Sequence, residues 1–438
     1  MKKIKFSTVI FVLLLMVVFA TNAFCERKVV LWLTVEFSPA EKTALEAIVS
    51  DFQKETGIKV EWSSYSSSDL WAKVMTGIEA GNPPDVSQVL SHSMVLLAYR
   101  GLLADVSDLI EAHKNEMIPA SVDAVYLYNQ KIGKRGYYCI PWGLYTLTIN
   151  YWASDLKKAG YEKLPSNWND FWKALEKAQE VTGKYAVGWT HSDRAEFDLS
   201  WPIEQLIVCF GGELLKDGKL NVDDPKNRKA VIDALKFHTR WYLEGKAPPG
   251  VTEWGDADNN KGFQTHLMTL TLNPTLSIPR WFYDNARDKY FNETASSVYP
   301  QPGPRGKDYA VTTNVYPMII PANAPNPKEA KEFVRFFMRK ENYDKYIQGV
   351  EGRFFPMYKS TFDNDYFANP KDPHIYPTRK HFLGQGVPVN WMLHPAYAKF
   401  VIGHNWHKMV ARIIVDRWSA EKAVDEALAT LKRTFKRF

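Results

Sequence analysis

The stretch VVLWLTVEFSPAEKTALEAIVSDFQKETGIKVEW, residues 29–62, decides the fold class. Its β-branched and aromatic start, 29–35, predicts a strand, and SPAE at 38–41 has the spacing of a capping box with proline at the first helical position. Apolar side chains then recur at helical spacing, and Gly57 provides a left-handed helix end before a second strand at 58–62. This order of strand, helix and strand predicts an α/β fold. Its sheet should be mostly parallel and covered on both faces, with ligands at the carboxyl ends of the strands.

The same alternation continues along the chain. A helix ending at Gly81, a strand at 85–90 and a helical stretch up to Arg100 complete another unit, and a second series begins after Pro141 with the strand-like segment 144–151. Further predicted elements are helices at 168–181, 202–210 and 226–243, a strand at 315–320, a helix from 327 and a last helix from 419. Two series of strands and helices predict two structural units.

Length and charge narrow the class of protein. The 438 residues exceed a usual domain about two- to threefold, so two lobes are expected. The formal charge of +6 falls to +3 when residues 1–25 and their three lysines are removed, which predicts neither a nucleic-acid partner nor an anionic membrane surface. Aromatic residues make up 14% of the chain, more than core filling requires, which points to a ligand with apolar faces.

Residues 1–25 have the pattern of a secretory signal peptide. A basic start precedes an apolar run from Val9 to Ala20 and a small-residue stretch that ends near Cys25. The run is shorter than a membrane span, so we expect a soluble mature protein outside the cytoplasm, as in a periplasm. Cys25 allows a lipoprotein anchor, but Phe24 is larger than the residue that normally precedes a lipidated cysteine, which favours cleavage after Cys25.

Cys139 and Cys209 are then the remaining cysteines. Both lie among apolar residues, far apart in sequence. This predicts buried free thiols, with a disulfide as the alternative in an oxidising compartment.

Six segments carry a family resemblance. They are FQKETGIKV at 52–60, GNPPDV at 81–86, RGLL at 100–103, DLKKAG at 155–160, the stretch 201–214 with its paired glycines, and 328–337. In this order behind a signal peptide they resemble the family 1 extracellular solute-binding proteins, the receptor components of bacterial ATP-driven (ABC) importers for sugars. The resemblance covers nearly the whole chain.

The resemblance implies two α/β lobes of the class II periplasmic-binding-protein type, with a ligand cleft between them. The implied division is lobe 1 from 26–143 plus 315–360, lobe 2 from 144–314 plus 361–438, and hinge crossings near 143–148, 311–317 and 358–370. It also implies a monomer without catalysis, metal or cofactor. Such a protein captures a carbohydrate, here a di- or oligosaccharide, by lobe closure and delivers it to the membrane permease subunits of an ABC importer.

Aromatic and polar residues near the expected cleft are candidate ligand contacts, because sugars combine apolar faces with a rim of hydroxyls. Trp142 and Tyr145 lie at the first crossing, where an indole can stack on a sugar ring; packing of Trp142 within the hinge is the alternative. Tyr65, in a serine-rich loop after a strand, and the nearby Asp69 form a second pair. Glu36 follows the first strand, where ligands bind, although solvation at a helix start is the alternative.

Other candidates occupy places where the resemblance locates ligand contacts. His92 and Ser93 stand where maltose-binding relatives have an Asp-Arg pair, which speaks against maltose itself. The remaining candidates are Glu196 and Asp198 before Trp201, Asn273 in place of the usual glycine, Trp281 as a platform from a later position, Arg353 in the loop 352–356, and the late Trp391. Core packing is the alternative for Trp201, and solvation is the alternative for Arg353.

Two other functions stay open at this point. A secreted carbohydrate-active enzyme would also need export and an aromatic cleft, but the sequence has no Gly-x-Ser-x-Gly, P-loop or His-Glu-x-x-His motif. His404 and His407 lack a nearby acidic third ligand for zinc. The same fold could also hold glycerol phosphate or another anion, which would favour an arginine cluster and helix N-termini in the cleft.

Overall fold

The computed structural model describes residues 27–36, 38–300, 303–304, 311–384, 386–387 and 390–438, so the predicted signal peptide and Cys25 lie outside the described residues. In this part of the chain the strands, β1 to β15 in order, are Lys28–Thr34, Lys59–Tyr65, Val86–Gln88, Tyr126–Asn129, Lys134–Tyr137, Ile140–Tyr145, Thr148–Trp152, Tyr185–Val187, Leu215–Lys216, Lys219–Leu220, Met268–Asn273, Thr294–Ser297, Val311–Thr312, Asn314–Ile319 and Gly386–Val387. The helices, α1 to α19 in order, are Pro39–Thr56, Ser67–Ala80, Ser91–Tyr99, Ser107–His113, Pro119–Ala124, Ala153–Lys158, Trp168–Thr182, Ser200–Cys209, Pro225–Leu243, Asp258–Gln264, Ser277–Asn285, Arg287–Asn292, Pro327–Met338, Lys340–Gly349, Asp365–Ala368, Ile375–Gly384, Pro395–Ile402, Asn405–Ile414 and Ala420–Phe435. Short 3-10 helices cover Asp193–Asp198, Pro249–Thr252, Lys359–Asp363 and Asn390–Leu393.

The opening strand, helix and strand form as the sequence predicts. The side-chain oxygen of Ser38 accepts a hydrogen bond from the amide of Glu41 (3.2 Å) and so caps α1. Gly57 ends this helix at φ 69°, a left-handed conformation that favours glycine. β1 and β2 then pair in parallel, with Val29 opposite Val60.

Lobe 1 is built on a five-stranded sheet of order β2-β1-β3-β14-β6. Its first three strands are parallel, whereas β14 runs antiparallel to both β3 and β6. β6 carries the chain out of this lobe and β14 carries it back in, so these two neighbours run in opposite directions. α1 and α13 cover the sheet, and Phe52 packs against Phe333 and Phe336 at centroid distances of 5.2 and 5.3 Å.

Lobe 2 is built on a four-stranded sheet of order β12-β7-β11-β8. β7 is antiparallel to both β11 and β12, and only the β8–β11 pair is parallel among the described strands of this sheet. The prediction of a mostly parallel sheet is therefore wrong for lobe 2. Alternation of strands and helices predicts the layers, but it does not fix the direction in which a strand returns after a long excursion.

The chain crosses between the lobes at positions that bring strand ends to the interface. The predicted strand 144–151 is two strands, because β6 ends in lobe 1, β7 begins in lobe 2, and only residues 146–147 separate them. On a later passage, Phe355 exchanges backbone hydrogen bonds with Leu144 of lobe 1 (2.7 and 2.8 Å). Asp372 then accepts a hydrogen bond from the Tyr290 hydroxyl of lobe 2.

The C-terminal helices contact both lobes. α17 packs on α3 of lobe 1, whereas α19 packs on α9 of lobe 2 and also on α17. α16 packs on β12, at the edge of the lobe 2 sheet. The segment assigned to lobe 2 by the sequence thus also lies against lobe 1.

Candidate functional site

A cleft of about 450 Å³ lies between the two lobes. Lobe 1 contributes the first turn of α1 and residues of the loop 350–353, and lobe 2 contributes one face of α11. The lining residues are Ser38, Pro39, Ala40, Glu41, Ser277, Arg280, Trp281, Asp284, Asn285, Val350 and Arg353. A ligand in this cleft would touch both lobes at once.

The lobe 1 wall is organised around a buried arginine. Arg353 is 5% exposed and forms an ion pair with Glu41, which is equally buried. The guanidinium also donates to the carbonyl oxygen of Val35 (3.2 Å), at the carboxyl end of β1. Burial lowers the pKa of Arg353, but the Glu41 carboxylate together with the Tyr316 and Tyr346 hydroxyls outweighs this effect, so the pKa is raised. The guanidinium is therefore held, charged, at the floor of the cleft.

The lobe 2 wall is one face of α11. Arg280 and Trp281 each lie three or four residues from both Ser277 and Asp284, so these side chains share that face. The Trp281 side chain is 41% exposed, which leaves an indole face accessible in the cleft. Arg280 pairs with Asp284 on its own helix and with Glu351 of lobe 1, the latter at 2.6 Å.

Asp256 is a carboxylate of lobe 2 that was not among the predicted residues. The Asp256 side chain is exposed. Desolvation by the neighbouring protein raises the pKa of its carboxyl, and the charge of Arg353 opposes the rise. The two groups, which belong to different lobes, thus interact electrostatically. Its only local signal is a Gly-Asp dipeptide before α10.

The comparisons with known proteins agree with this architecture. The sequence model of the bacterial extracellular solute-binding proteins matches residues 47–376. The chain belongs to this family. Membership of a family of solute-binding proteins explains why the chain has two lobes and why both lobes line the cleft.

Two relatives and one solved structure illustrate how far the similarity of this solute-binding protein extends. The maltodextrin-binding protein MdxE of Bacillus subtilis (strain 168) is 23% identical over 321 residues, 71% of this chain and 70% of the relative. A probable ABC transporter-binding protein of Deinococcus radiodurans is 26% identical over 339 residues, 70% of this chain and 75% of the relative. The maltose-bound MalE3 of T. maritima superimposes with a TM-score of 0.76 at 20% identity, covering 92% of this chain and 99% of that chain. The predicted two-lobed α/β fold is confirmed.

Trp142 of this solute-binding protein does not face the cleft. Its indole is fully buried, stacks on Phe337 at a centroid distance of 4.4 Å, and donates from Nε1 to the Tyr346 hydroxyl (2.8 Å). No face of the ring is left for a ligand. The expected sugar platform at Trp142 is corrected to a core residue of lobe 1, which was the alternative interpretation.

The structure brings four other predicted residues together in a buried contact between the lobes. Tyr145 packs against Trp201 at a centroid distance of 5.2 Å, and burial raises the pKa of its hydroxyl. His92 lies 3.3 Å from Glu204 (Nε2 to Oε1), and the same carboxylate oxygen accepts from the Tyr397 hydroxyl at 2.8 Å. The indole Nε1 of Trp406 also donates to the Tyr397 hydroxyl (3.0 Å), and Trp391 lies near this hydroxyl. All four predicted residues, His92, Tyr145, Trp201 and Trp391, are less than 8% exposed. In this conformation they pack between secondary-structure elements and do not line the open cleft.

Three predicted residues lie at strand ends and helix starts. Glu36 accepts a hydrogen bond from Ser64 (3.3 Å) at the carboxyl ends of β1 and β2. Tyr65 packs edge-on against Trp32, with centroids 5.8 Å apart. Asp69 accepts from the Ser66 hydroxyl (2.8 Å) while its amide donates to the Ser66 side-chain oxygen, so Ser66 caps α2 and Asp69 holds the capping hydroxyl.

The remaining candidates in lobe 2 serve different local roles. The Asn273 amide donates to the Thr275 carbonyl (2.8 Å) and to the Ser277 hydroxyl (3.1 Å), which shapes the start of α11 beside the cleft. Glu196 and Asp198 lie in the 3-10 helix Asp193–Asp198. Asp198 is half-buried, and the Glu196 side chain lies outside the described part. Of the predicted residues whose side chains the structure describes, Trp281 and Arg353 are the two that line the cleft itself.

Metal sites, membrane spans and cysteine pairing can be stated for the described residues. They contain no group of three or more potential ligands among His, Cys, Asp and Glu side chains. None of the helices in these ranges is both long and apolar enough to span a membrane. Cys139 and Cys209 are buried free thiols, which confirms the preferred interpretation. Burial raises the pKa of the Cys139 thiol.

Proposed function

We propose that this solute-binding protein captures a neutral carbohydrate, a di- or oligosaccharide, in the cleft between its lobes. The observation that carries the proposal is the half-exposed indole of Trp281, set among hydrogen-bonding groups of both lobes. An apolar ring face with in-plane donors and acceptors matches the two kinds of surface that a sugar presents. The names of MdxE and MalE3 point to the same ligand class.

The charges at the cleft favour a neutral ligand over an anion. Four carboxylates, those of Glu41, Asp256, Asp284 and Glu351, lie near two guanidiniums, those of Arg280 and Arg353. Both arginines are already paired with carboxylates, so a phosphate would meet excess negative charge. Hydroxyl groups, in contrast, can donate to these carboxylates. Glycerol phosphate is therefore the weaker of the two ligand hypotheses.

The rest of the function follows from the same proposal. The protein acts as a monomer without catalysis, and the ligand-bound, closed form docks on the permease of an ABC importer. Residues 1–25 export it, with cleavage after Cys25, so the site works outside the cytoplasm. Intact mass spectrometry of secreted protein distinguishes this cleavage from a lipidated Cys25. Light scattering after size-exclusion chromatography measures the oligomeric state.

Calorimetric titration tests the ligand class directly. A panel of monosaccharides, neutral di- and oligosaccharides, and glycerol 3-phosphate is titrated into the purified protein. We expect saturable binding of a neutral saccharide and none of glycerol 3-phosphate. Binding of the phosphate alone would overturn the proposal, and so would conversion of a bound saccharide to products detected by chromatography.

A matched pair of tryptophan variants locates the site. Trp281→Ala should weaken saccharide binding by about 5- to 150-fold, because stacking and the associated apolar burial contribute about 1–3 kcal/mol. Trp418→Ala is the control, since that indole packs between Arg412 and Lys422, away from the cleft. Equal loss of affinity in both variants would contradict a platform at Trp281.

A further inference from the structure

Arg280 connects the two lobes at the rim of the cleft. Its Nη2 atom lies 2.6 Å from Glu351 and 2.5 Å from Asp284, and its side chain is only 14% exposed. Asp284 is on the same helix, α11, one turn further along. Glu351 comes from the other lobe. One guanidinium is thus shared between a carboxylate of its own lobe and a carboxylate across the cleft.

The lobe assignments of both partners are clear from their packing. α11 contacts α10, α12 and β12, which are parts of lobe 2. The loop 350–353 follows α14, which packs on α1 of lobe 1. Two residues after Glu351, Arg353 is fixed to Glu41 and to the Val35 carbonyl, both in lobe 1. Glu351 therefore projects from a firmly anchored loop.

The backbone of this loop is held in an unfavourable conformation. Glu351 has φ 55°, in the left-handed region that non-glycine residues avoid, and Gly352 follows at φ 84°. Such strain persists where surrounding contacts fix it, and here the contacts are the anchored Arg353 on one side and Arg280 on the other. The strained turn aims the Glu351 carboxylate at lobe 2.

Arg280 is needed because the two carboxylates oppose each other. Burial raises the pKa of Glu351, the Asp284 charge raises it further, and Arg280 counteracts both effects. Without the guanidinium, closing the lobes would bring Glu351 and Asp284 together with no counter-charge between them. A partly buried carboxylate that loses its partner is strongly unfavourable.

We propose that Arg280 is a positioning residue that sets the equilibrium between open and closed lobes by neutralising one carboxylate from each lobe. The inference rests on the proposed function only in that closure is how the ligand would be captured. The lobe equilibrium itself is a property of the ligand-free protein.

The test measures the distance between the lobes without any ligand. Spin labels are placed on cysteines introduced at Glu46 of α1 and Lys261 of α10, whose side chains are 54% and 72% exposed. Cys139 and Cys209 are buried and do not compete for the label. Pulsed electron spin resonance then gives the populations of short and long distances.

The variants separate the interlobe pair from the pair within the helix. In Arg280→Gln the ratio of closed to open protein should fall about 5- to 20-fold, because the closed form then holds two unpaired carboxylates. Adding Glu351→Gln should restore the ratio to within about twofold of wild type. Adding Asp284→Asn instead should restore the ratio only in part, because it removes the repulsion between the carboxylates but leaves the partly buried Glu351 without a partner. Arg280→Lys should retain part of the closure.

Two outcomes would overturn the inference: an unchanged distance distribution in Arg280→Gln, or equal rescue by Asp284→Asn and Glu351→Gln. Thermal unfolding of each variant checks that the lobes remain folded. Because no saccharide is present, failure of the carbohydrate proposal leaves this measurement intact. Carbohydrate binding with an unchanged lobe equilibrium would refute only the role of Arg280.

Discussion

Replacing Trp142 with alanine should destabilise lobe 1 without removing a ligand contact. The indole is fully buried, with one face on Phe337 and its Nε1 hydrogen bonded to Tyr346. Removal of a buried tryptophan ring costs about 3–5 kcal/mol, and an unpartnered Tyr346 hydroxyl adds about 1–3 kcal/mol. Because neighbouring contributions overlap, we expect a total of about 4–6 kcal/mol. For a lobe-sized unit this corresponds to a fall in melting temperature of about 8–24 °C.

Two measurements on the same variant decide the matter. Differential scanning calorimetry of the ligand-free protein gives the melting temperature, and titration well below that temperature gives the saccharide affinity of the folded fraction. Trp142→Phe should lie between alanine and wild type, because it keeps a ring on Phe337 and loses the hydrogen bond. An alanine variant with wild-type melting and abolished saccharide binding would refute the assignment to the core.

Three further predictions follow from the described contacts. Burial lowers the pKa of His374 to about 3, so the folded protein holds this side chain in its neutral form. Its contribution to the free energy of unfolding is complete above about pH 6.5 and should fall by about 2 kcal/mol at pH 5. Urea unfolding at both pH values should show this loss in the wild type and not in His374→Gln. Glu41→Gln removes the carboxylate that pairs with the buried Arg353 and should lower the free energy of unfolding by about 3–5 kcal/mol. The double variant Glu41→Met, Arg353→Met should recover most of this loss in denaturant unfolding. If the effects of the two single substitutions simply add in the double variant, the two residues are not a coupled pair. Asp256→Asn should weaken saccharide binding about 3- to 20-fold with an unchanged melting temperature, measured by calorimetry; the reverse pattern would make Asp256 structural.

Local sequence patterns predicted the elements of the fold because the causes of those elements are themselves local. The cap at Ser38, the left-handed Gly57 and the apolar spacing between them all act within one helix. The same kind of pattern also explains Asp69, predicted as a ligand contact: Ser66, three residues earlier, caps the helix, and Asp69 binds this cap.

The site was harder to predict because its partners are distant in sequence. Trp142 after a proline has the same local sequence whether it faces a core or a cleft, and Tyr346, which binds its indole, is 204 positions away. Glu41 and Arg353 are 312 positions apart, so neither residue alone indicates an ion pair. Asp256 has no local pattern beyond the Gly-Asp dipeptide at 255–256. Trp281 does line the cleft, and its role as a sugar platform stays a prediction.

The tryptophans of lobe 2 have an optical consequence. Trp168, Trp172, Trp189 and Trp241 lie with successive ring centroids 5.5 to 6.2 Å apart, and each is 8% exposed or less. Excitation energy transfers between such closely spaced indoles, so they emit as one blue-shifted band. This band should change when lobe 2 unfolds and should not change when a ligand binds in the cleft. Trp281, exposed at the rim, emits at longer wavelength. In one emission spectrum, the short-wavelength side would therefore report unfolding of lobe 2 and the long-wavelength side would report binding in the cleft. Trp281→Phe should abolish only the ligand-dependent change at long wavelength.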